Sequence, residues 1–213
     1  MVYTLISVVL AYLVGSINFA VIFSKLFIKD DIRNFGSGNA GATNVLRVGG
    51  ALPGILTFVC DALKGFIACF AGELIVEKLS DGAFNSLVCA FACGLACMLG
   101  HVFPVFFRFK GGKGVATAVG IFAVCCPIAI ILGLCCFALV MVFSRIVSLS
   151  SLLATVTVVV CTAIFHSSAA PFIPQLILSI AMGTLVFIKH YENIKRLIRG
   201  EEKKLNIGRK KNV

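Results

Sequence analysis

The chain has 213 residues, of which 60% are hydrophobic and only 13% charged, with a mean hydropathy of +1.06. A soluble domain carries roughly a quarter charged residues and under half apolar ones, so the composition excludes a soluble protein and suits one compact helical bundle in a membrane. The net charge of +10 does not point to nucleic acid in such a chain, because basic residues report which side of the membrane a loop occupies.

In chain order, Val2–Ile28 is the first apolar run. It lacks the basic start of a signal peptide and is too long for one, so it reads as a retained transmembrane helix. The stretch Gly36-Ser37-Gly38-Asn39-Ala40-Gly41-Ala42-Thr43-Asn44 follows, and then Arg47. Nine small uncharged residues offer many backbone N–H donors, and its glycines permit sharp turns and close approach. Arg47 adds a planar fork suited to phosphate. The stretch reads as an anion cradle at a membrane surface, with Ser37 and Asn39 within it.

Ala51–Val76 and Ala83–Phe107 are each long enough to span, since ~20 apolar residues cross the hydrocarbon. Asp61 and Lys64, three residues apart inside the first of them, are expected to pair. The 10 cysteines all lie in apolar runs. Cys89, Cys93 and Cys97 share a helix face but lack the ligand set of a zinc site, and read as packing residues. His101, after Gly100, reads as a buried, hydrogen-bonded packing residue.

Lys110-Gly111-Gly112-Lys113-Gly114, preceded by Arg108 and followed by Thr117, opens the next apolar run. A helix N-terminus with Lys113 beside it makes a phosphate site by the physics of a P-loop, without the P-loop spacing. Val115–Phe143 is too long for one straight span and carries Pro127, so it is either one tilted, kinked helix or two short helices meeting at the proline. Arg145-Ile146-Val147-Ser148 forms the mouth of the span Val147–Phe165. Ser148 reads as a helix cap or a pocket residue. His166 reads as structural. After the last span, Pro171–Ile188, come His190 and Asn193, one helical turn apart. A histidine there can relay a proton and an asparagine can hold a hydroxyl.

Basic residues favour the cytoplasmic side. With the N-terminus outside, a break at Pro127 and the C-terminus inside, every one of the 19 basic residues except Lys64 and Lys78 falls inside. The fold expected is therefore an all-α polytopic bundle of about seven segments. One integral-membrane domain covers residues 1–200, and residues 201–213 form a basic cytoplasmic tail. All the polar clusters then meet at one face of the membrane.

Three of these stretches resemble the motifs of the bacterial acyl-phosphate:glycerol-3-phosphate acyltransferases. They are Gly36 to Arg47, Gly100-His-Val-Phe-Pro104 through Thr117, and His190-Tyr-Glu-Asn-Ile-Lys-Arg-Leu197 with Gly200 and Glu201. Asp61-Ala-Leu-Lys64-Gly65 and Arg145-Ile-Val-Ser-Leu-Ser are similar to further family segments, with Ile146 where an aromatic is expected. The resemblance implies a phospholipid-synthesis enzyme of the bacterial inner membrane, working at its cytoplasmic face. It would move a fatty acyl group from acyl phosphate to the 1-hydroxyl of glycerol 3-phosphate, releasing phosphate and lysophosphatidic acid. It further implies Arg47 and Lys113 as phosphate ligands, Ser37 and Asn39 in the cradle, and Ser148 lining the pocket. His190 and Asn193 would position the glycerol hydroxyl, and either His190 or a substrate phosphate would take the proton. An enzyme that supplies acyl phosphate is an implied partner.

The His-x-x-x-x-Asp motif of the other large acyltransferase class is absent, since Phe106, Pro171 and Lys195 stand five residues after the three histidines. No carboxylate cluster suggests Mg²⁺, so no metal or cofactor is expected. The competing reading is a transporter for a phosphorylated small molecule. It lacks a polar path to the outer face.

Overall fold

The computed structural model describes residues 2–79, 85–165 and 172–205. The expected loop residue His166, the span starts at Ala83 and Pro171, and the tail beyond residue 205 lie outside them. The described residues form helices α1 (Val2–Gly15), α2 (Phe19–Phe27), α3 (Ala42–Gly49), α4 (Ala51–Leu79), α5 (Ser86–Val102), α6 (Val115–Cys125), α7 (Pro127–Ser144), α8 (Val147–Phe165), α9 (Phe172–Lys189) and α10 (Tyr191–Ile198). Among the described residues, six stretches are long and apolar enough to cross a membrane: Val2–Phe27, Ala51–Leu79, Ser86–Phe107, Pro127–Ser144, Val147–Phe165 and Phe172–Lys189. The protein is an all-helical integral membrane protein.

The first run is not one continuous helix, as its apolarity suggested. It breaks after Gly15, and Asn18 caps α2 by accepting the Val21 N–H at 3.1 Å. The break frees the Ile17 carbonyl from the helical ladder, and the Lys64 ammonium takes it at 2.7 Å. A polar side chain in the sequence thus starts a second helix, and the break beside it presents a backbone carbonyl to a charge on another.

Pro127 acts as expected. The chain stops α6 at Cys125 and starts α7 with the proline in its first turn, where a missing N–H costs nothing. Val115, opening α6, and Val147, just past α7, line the same cavity. The pair is therefore a hairpin that leaves this end of the bundle and returns to it.

Small residues let the helices come close. A Cβ on Gly120 of α6 would collide with the Ala62 carbonyl oxygen of α4, and one on Gly65 would collide with that of Thr117. The α1–α5 crossing uses Gly15 and Gly100 in the same way. These contacts carry Asp61 and Lys64 of α4 into the interior, where their side chains are almost fully buried. The largest core cluster gathers Phe91, Met98, Ile121, Phe122 and Met182, with the Phe91 and Phe122 rings edge to face at 6.1 Å. Cys89, Cys93 and Cys97 are buried in a neighbouring cluster between α1, α4 and α5. Large apolar side chains such as Val142 and Phe143 remain exposed on the outside of α7, as lipid contact requires.

Candidate active site

The first polar loop is built around Asn44. This side chain is buried, and its Oδ1 accepts the Ser37 N–H at 3.0 Å. Its Nδ2 donates to the carbonyls of Ile32, Phe35 and Asn39 at 3.2, 2.9 and 3.1 Å. One amide therefore replaces the backbone pairing that an irregular loop lacks. Gly36 and Gly38 turn through positive φ (63° and 70°), and a Cβ at Gly36 would run into the Asn44 oxygen. Held this way, Ser37 and Asn39 reach the wall of a cavity, and the N-terminus of α3 faces it through Gly41, Ala42 and Thr43. Arg47 lines it one turn further along α3.

The second loop is held by His101. Its carbonyl accepts the Gly112 N–H at 3.1 Å. A Cβ on Gly112 would run into the imidazole Nε2, so only glycine fits between this ring and the first loop. Lys113 then projects from the turn and its ammonium donates to the Asn193 side-chain oxygen. Gly114, at φ 84°, starts α6, whose first turn also faces the cavity. Arg108 and Lys110 point away and are exposed.

The remaining walls come from α8, α10 and the chain after it. His190 caps α10 and is 3% exposed, and Asn193 is buried one turn later. The His190 Nδ1–H donates to the Val186 carbonyl at 2.8 Å. A carbonyl only accepts, so in the neutral ring Nε2 carries the free lone pair. Ser148 is the second residue of α8 rather than its cap, and its hydroxyl donates to Glu202 Oε1 at 2.8 Å. Glu202 also receives Asn193 Nδ2 and Arg196 Nε, each at 2.6 Å. The chain therefore does not leave the bundle at Gly200. Residues 201–205 fold back, with the Leu205 N–H on the Arg145 carbonyl at 2.7 Å and Arg47 on the Lys203 carbonyl at 3.4 Å.

All the residues singled out from the sequence as site candidates, Ser37, Asn39, Arg47, Lys113, Ser148, His190 and Asn193, line this one cavity of about 430 Å³. Glu202, Asp61 and His101 join them, although sequence reasoning placed none of the three in a site. His101 is buried and hydrogen-bonded as expected. It sits in the last turn of α5 and so reaches the cavity. Asp61 carried a signal, because an ionisable residue inside a span is itself a pointer to function. In sequence Glu202 is simply an acidic residue in a basic tail, and only the fold-back of residues 201–205 gives it a place in the site.

The electrostatics are those of an anion site. Burial pushes the Lys113 ammonium down to about 8, opposed by Glu202 and assisted by Arg196 and Arg47. Burial also lowers Arg47, which keeps its charge at neutral pH. Burial pushes His190 down to about 4, with Lys113 adding to the effect, so the ring is neutral at pH 7. Burial raises Glu202, but the hydrogen bonds from Arg196, Asn193 and Ser148 outweigh it and hold the carboxylate ionised. At Phe58, Val115, Phe137 and Ser151 the cavity meets an apolar groove of about 100 Å³ between α6, α7, α8 and α9. A polar chamber with two helix N-termini and the cations Arg47, Lys113, Arg196 and Lys203 thus adjoins a slot lined by side chains such as Phe122, Ile130 and Val158.

Known proteins share this chain's sequence and fold. The family model described as glycerol-3-phosphate acyltransferase matches residues 5–200. Glycerol-3-phosphate acyltransferase 2 of Bacillus anthracis is 40% identical over 201 residues, covering 94% of this chain and 98% of that one. The glycerol-3-phosphate acyltransferase of Thermoanaerobacter sp. (strain X514) is 42% identical over 203 residues, covering 95% and 96%. The crystal structure of PlsY, an integral membrane glycerol 3-phosphate acyltransferase, in its glycerol 3-phosphate form superposes with a TM-score of 0.83 at 38% identity, covering 95% of this chain and 96% of that one. Helices, loops and sequence agree, and the chain belongs to the glycerol-3-phosphate acyltransferase family.

Proposed function

We propose that this membrane acyltransferase takes its acyl group from a fatty acyl phosphate and places it on the 1-hydroxyl of glycerol 3-phosphate, yielding lysophosphatidic acid and phosphate. The observation that carries the reading is the junction of the cationic cavity with the apolar groove. An acyl phosphate has one end for each, and glycerol 3-phosphate brings a second phosphate to the same donors. A relative's structure in a lysophosphatidic acid form, at a TM-score of 0.80, supports the product.

In this reading Arg47, Lys113, Ser37, Asn39 and the N-termini of α3 and α6 hold the phosphates. His190 Nε2 accepts a hydrogen bond from the 1-hydroxyl and, with Asn193, aims its oxygen at the acyl carbonyl carbon. The new C–O ester bond forms, the carbonyl carbon's bond to the phosphate oxygen breaks, and its electron pair leaves with phosphate. A ring at about 4 is a poor proton store at neutral pH. A phosphate with a second pKa of about 6 is a better one, so the proton that leaves the hydroxyl toward Nε2 does not rest on the ring and passes on to the departing phosphate. Positioning and charge stabilisation supply the rate.

The N-terminus lies outside and the C-terminus inside, with α6 as a short seventh segment and the cavity open to the cytoplasm of a bacterial cell. The convergence of the basic loops on one cavity supports this. The acyl phosphate comes from a separate enzyme. The test uses purified protein in lipid with radiolabelled glycerol 3-phosphate and either palmitoyl phosphate or palmitoyl-CoA, without added metal. Labelled lysophosphatidic acid from the acyl phosphate alone is the expected result. Product from the CoA ester alone would overturn the donor assignment.

A further inference from the structure

The cavity wall gathers a set of strong donors. Arg47, Lys113 and the two helix N-termini suit phosphate oxygens, but a polyol phosphate also carries hydroxyl protons that need acceptors. Glu202 is committed to Ser148, Asn193 and Arg196. In the reading above, His190 Nε2 serves the hydroxyl that is acylated.

Asp61 is the remaining carboxylate on the wall, and its side chain is 1% exposed. Its Oδ1 lies 2.8 Å from the Lys64 ammonium and 3.5 Å from His101 Nδ1. Lys64 has two further acceptors, the Ile17 carbonyl at 2.7 Å and His101 Nδ1 at 3.0 Å. Both Asp61 oxygens are buried, and neither has a hydrogen-bond donor in place among the described residues; Lys64 sits on the Oδ1 side as an ion pair and makes its hydrogen bonds to Ile17 and His101. A buried carboxylate oxygen without a donor is costly, and a substrate hydroxyl would relieve it.

We propose that Asp61 is a specificity-determining residue that accepts a hydrogen bond from the 2-hydroxyl of glycerol 3-phosphate through Oδ2. This rests on the acyl transfer reading above. The Lys64 ammonium, paired with Oδ1 at 2.8 Å, fixes the carboxylate and leaves the second oxygen for the substrate. A site built around a hydroxyl's partner rejects an analogue without that hydroxyl, because the partner is then left unpaired.

The test compares glycerol 3-phosphate with 1,3-propanediol monophosphate, which keeps the primary hydroxyl and the phosphate but lacks the 2-hydroxyl. Wild-type protein should favour glycerol 3-phosphate in kcat/KM by roughly 10- to 100-fold. In Asp61→Asn, Lys64 draws the amide oxygen to itself and turns the NH₂ to the place of Oδ2, a donor where an acceptor is needed. That variant should lose activity on glycerol 3-phosphate and discriminate by no more than a few-fold. If Asp61→Asn does not fold, Asp61→Leu/Lys64→Met removes both charges together, leaves no acceptor in the place of Oδ2 and carries the same comparison. Wild-type protein that acylates both acceptors equally well would overturn this inference alone, as would a variant that slows both equally and keeps the wild-type ratio. Wild-type protein that acylates neither would sink the reaction reading, and this inference with it.

Discussion

Two groups of charge lie against one cavity and are balanced differently. Asp61 and Lys64 neutralise each other at 2.8 Å, and Lys64 is further held by a backbone carbonyl and an imidazole. Across the cavity Arg47, Lys113 and Arg196 share one carboxylate, Glu202. The first group is compensated within the protein and needs no ligand to hold its charge. The second has a positive excess in a partly dry site, which an anion would satisfy. Burying charge is tolerable when it is paired, so the unpaired excess is where the proposed reading puts phosphate.

The largest effects should follow from removing that excess. Lys113→Ala and Arg47→Ala should each lower kcat/KM for glycerol 3-phosphate by roughly 10- to 100-fold, the worth of one charge-assisted contact. Steady-state kinetics in lipid measure this. Wild-type kinetics in both variants would erase the distinction between the two charge groups.

A smaller, reversible version of the same loss comes from pH. Lys113 is held down to about 8 by burial, so its proton leaves as pH rises through that value and the phosphate loses a cation. kcat/KM, which reports the free enzyme, should fall above pH 8. Lys113→Arg should remove that limb, because guanidinium stays charged. His190 at about 4 should contribute no limb between pH 5 and 7. A limb near 6.5 that disappears in His190→Gln would show that the ring does take up a proton there.

The parts legible in sequence were those that composition and local chemistry determine. Pro127 announced the α6–α7 break because proline cannot continue a helix, and the run of glycines with Asn39 and Asn44 announced a donor-rich loop. The break at Asn18 was hidden, since a single polar residue hardly changes the hydropathy of a long apolar run. Its consequence, a carbonyl presented to Lys64, depends on how α1 and α4 pack. Glu202 was hidden for a related reason: its partners Ser148, Asn193 and Arg196 come together only when the chain folds back. Lys113 and Asn193, 80 residues apart, show the same limit. The residue types were readable, and their contacts were not.

Ser148 gives the finest test of where the protein's own hydrogen bonds end and substrate contacts begin. Its hydroxyl donates to Glu202 at 2.8 Å, but Glu202 keeps Asn193 and Arg196, each at 2.6 Å. Removing the hydroxyl leaves one carboxylate lone pair short of a donor while the rest of the clamp stands. Such a loss is worth about 1 kcal/mol, so Ser148→Ala should reduce kcat/KM only a few-fold. A fall of the size expected for Lys113→Ala would mean that the hydroxyl leaves Glu202 and touches the substrate itself. In that case Ser148 belongs with the ligand-seeking group, and Glu202 is held by only two donors when the site is filled.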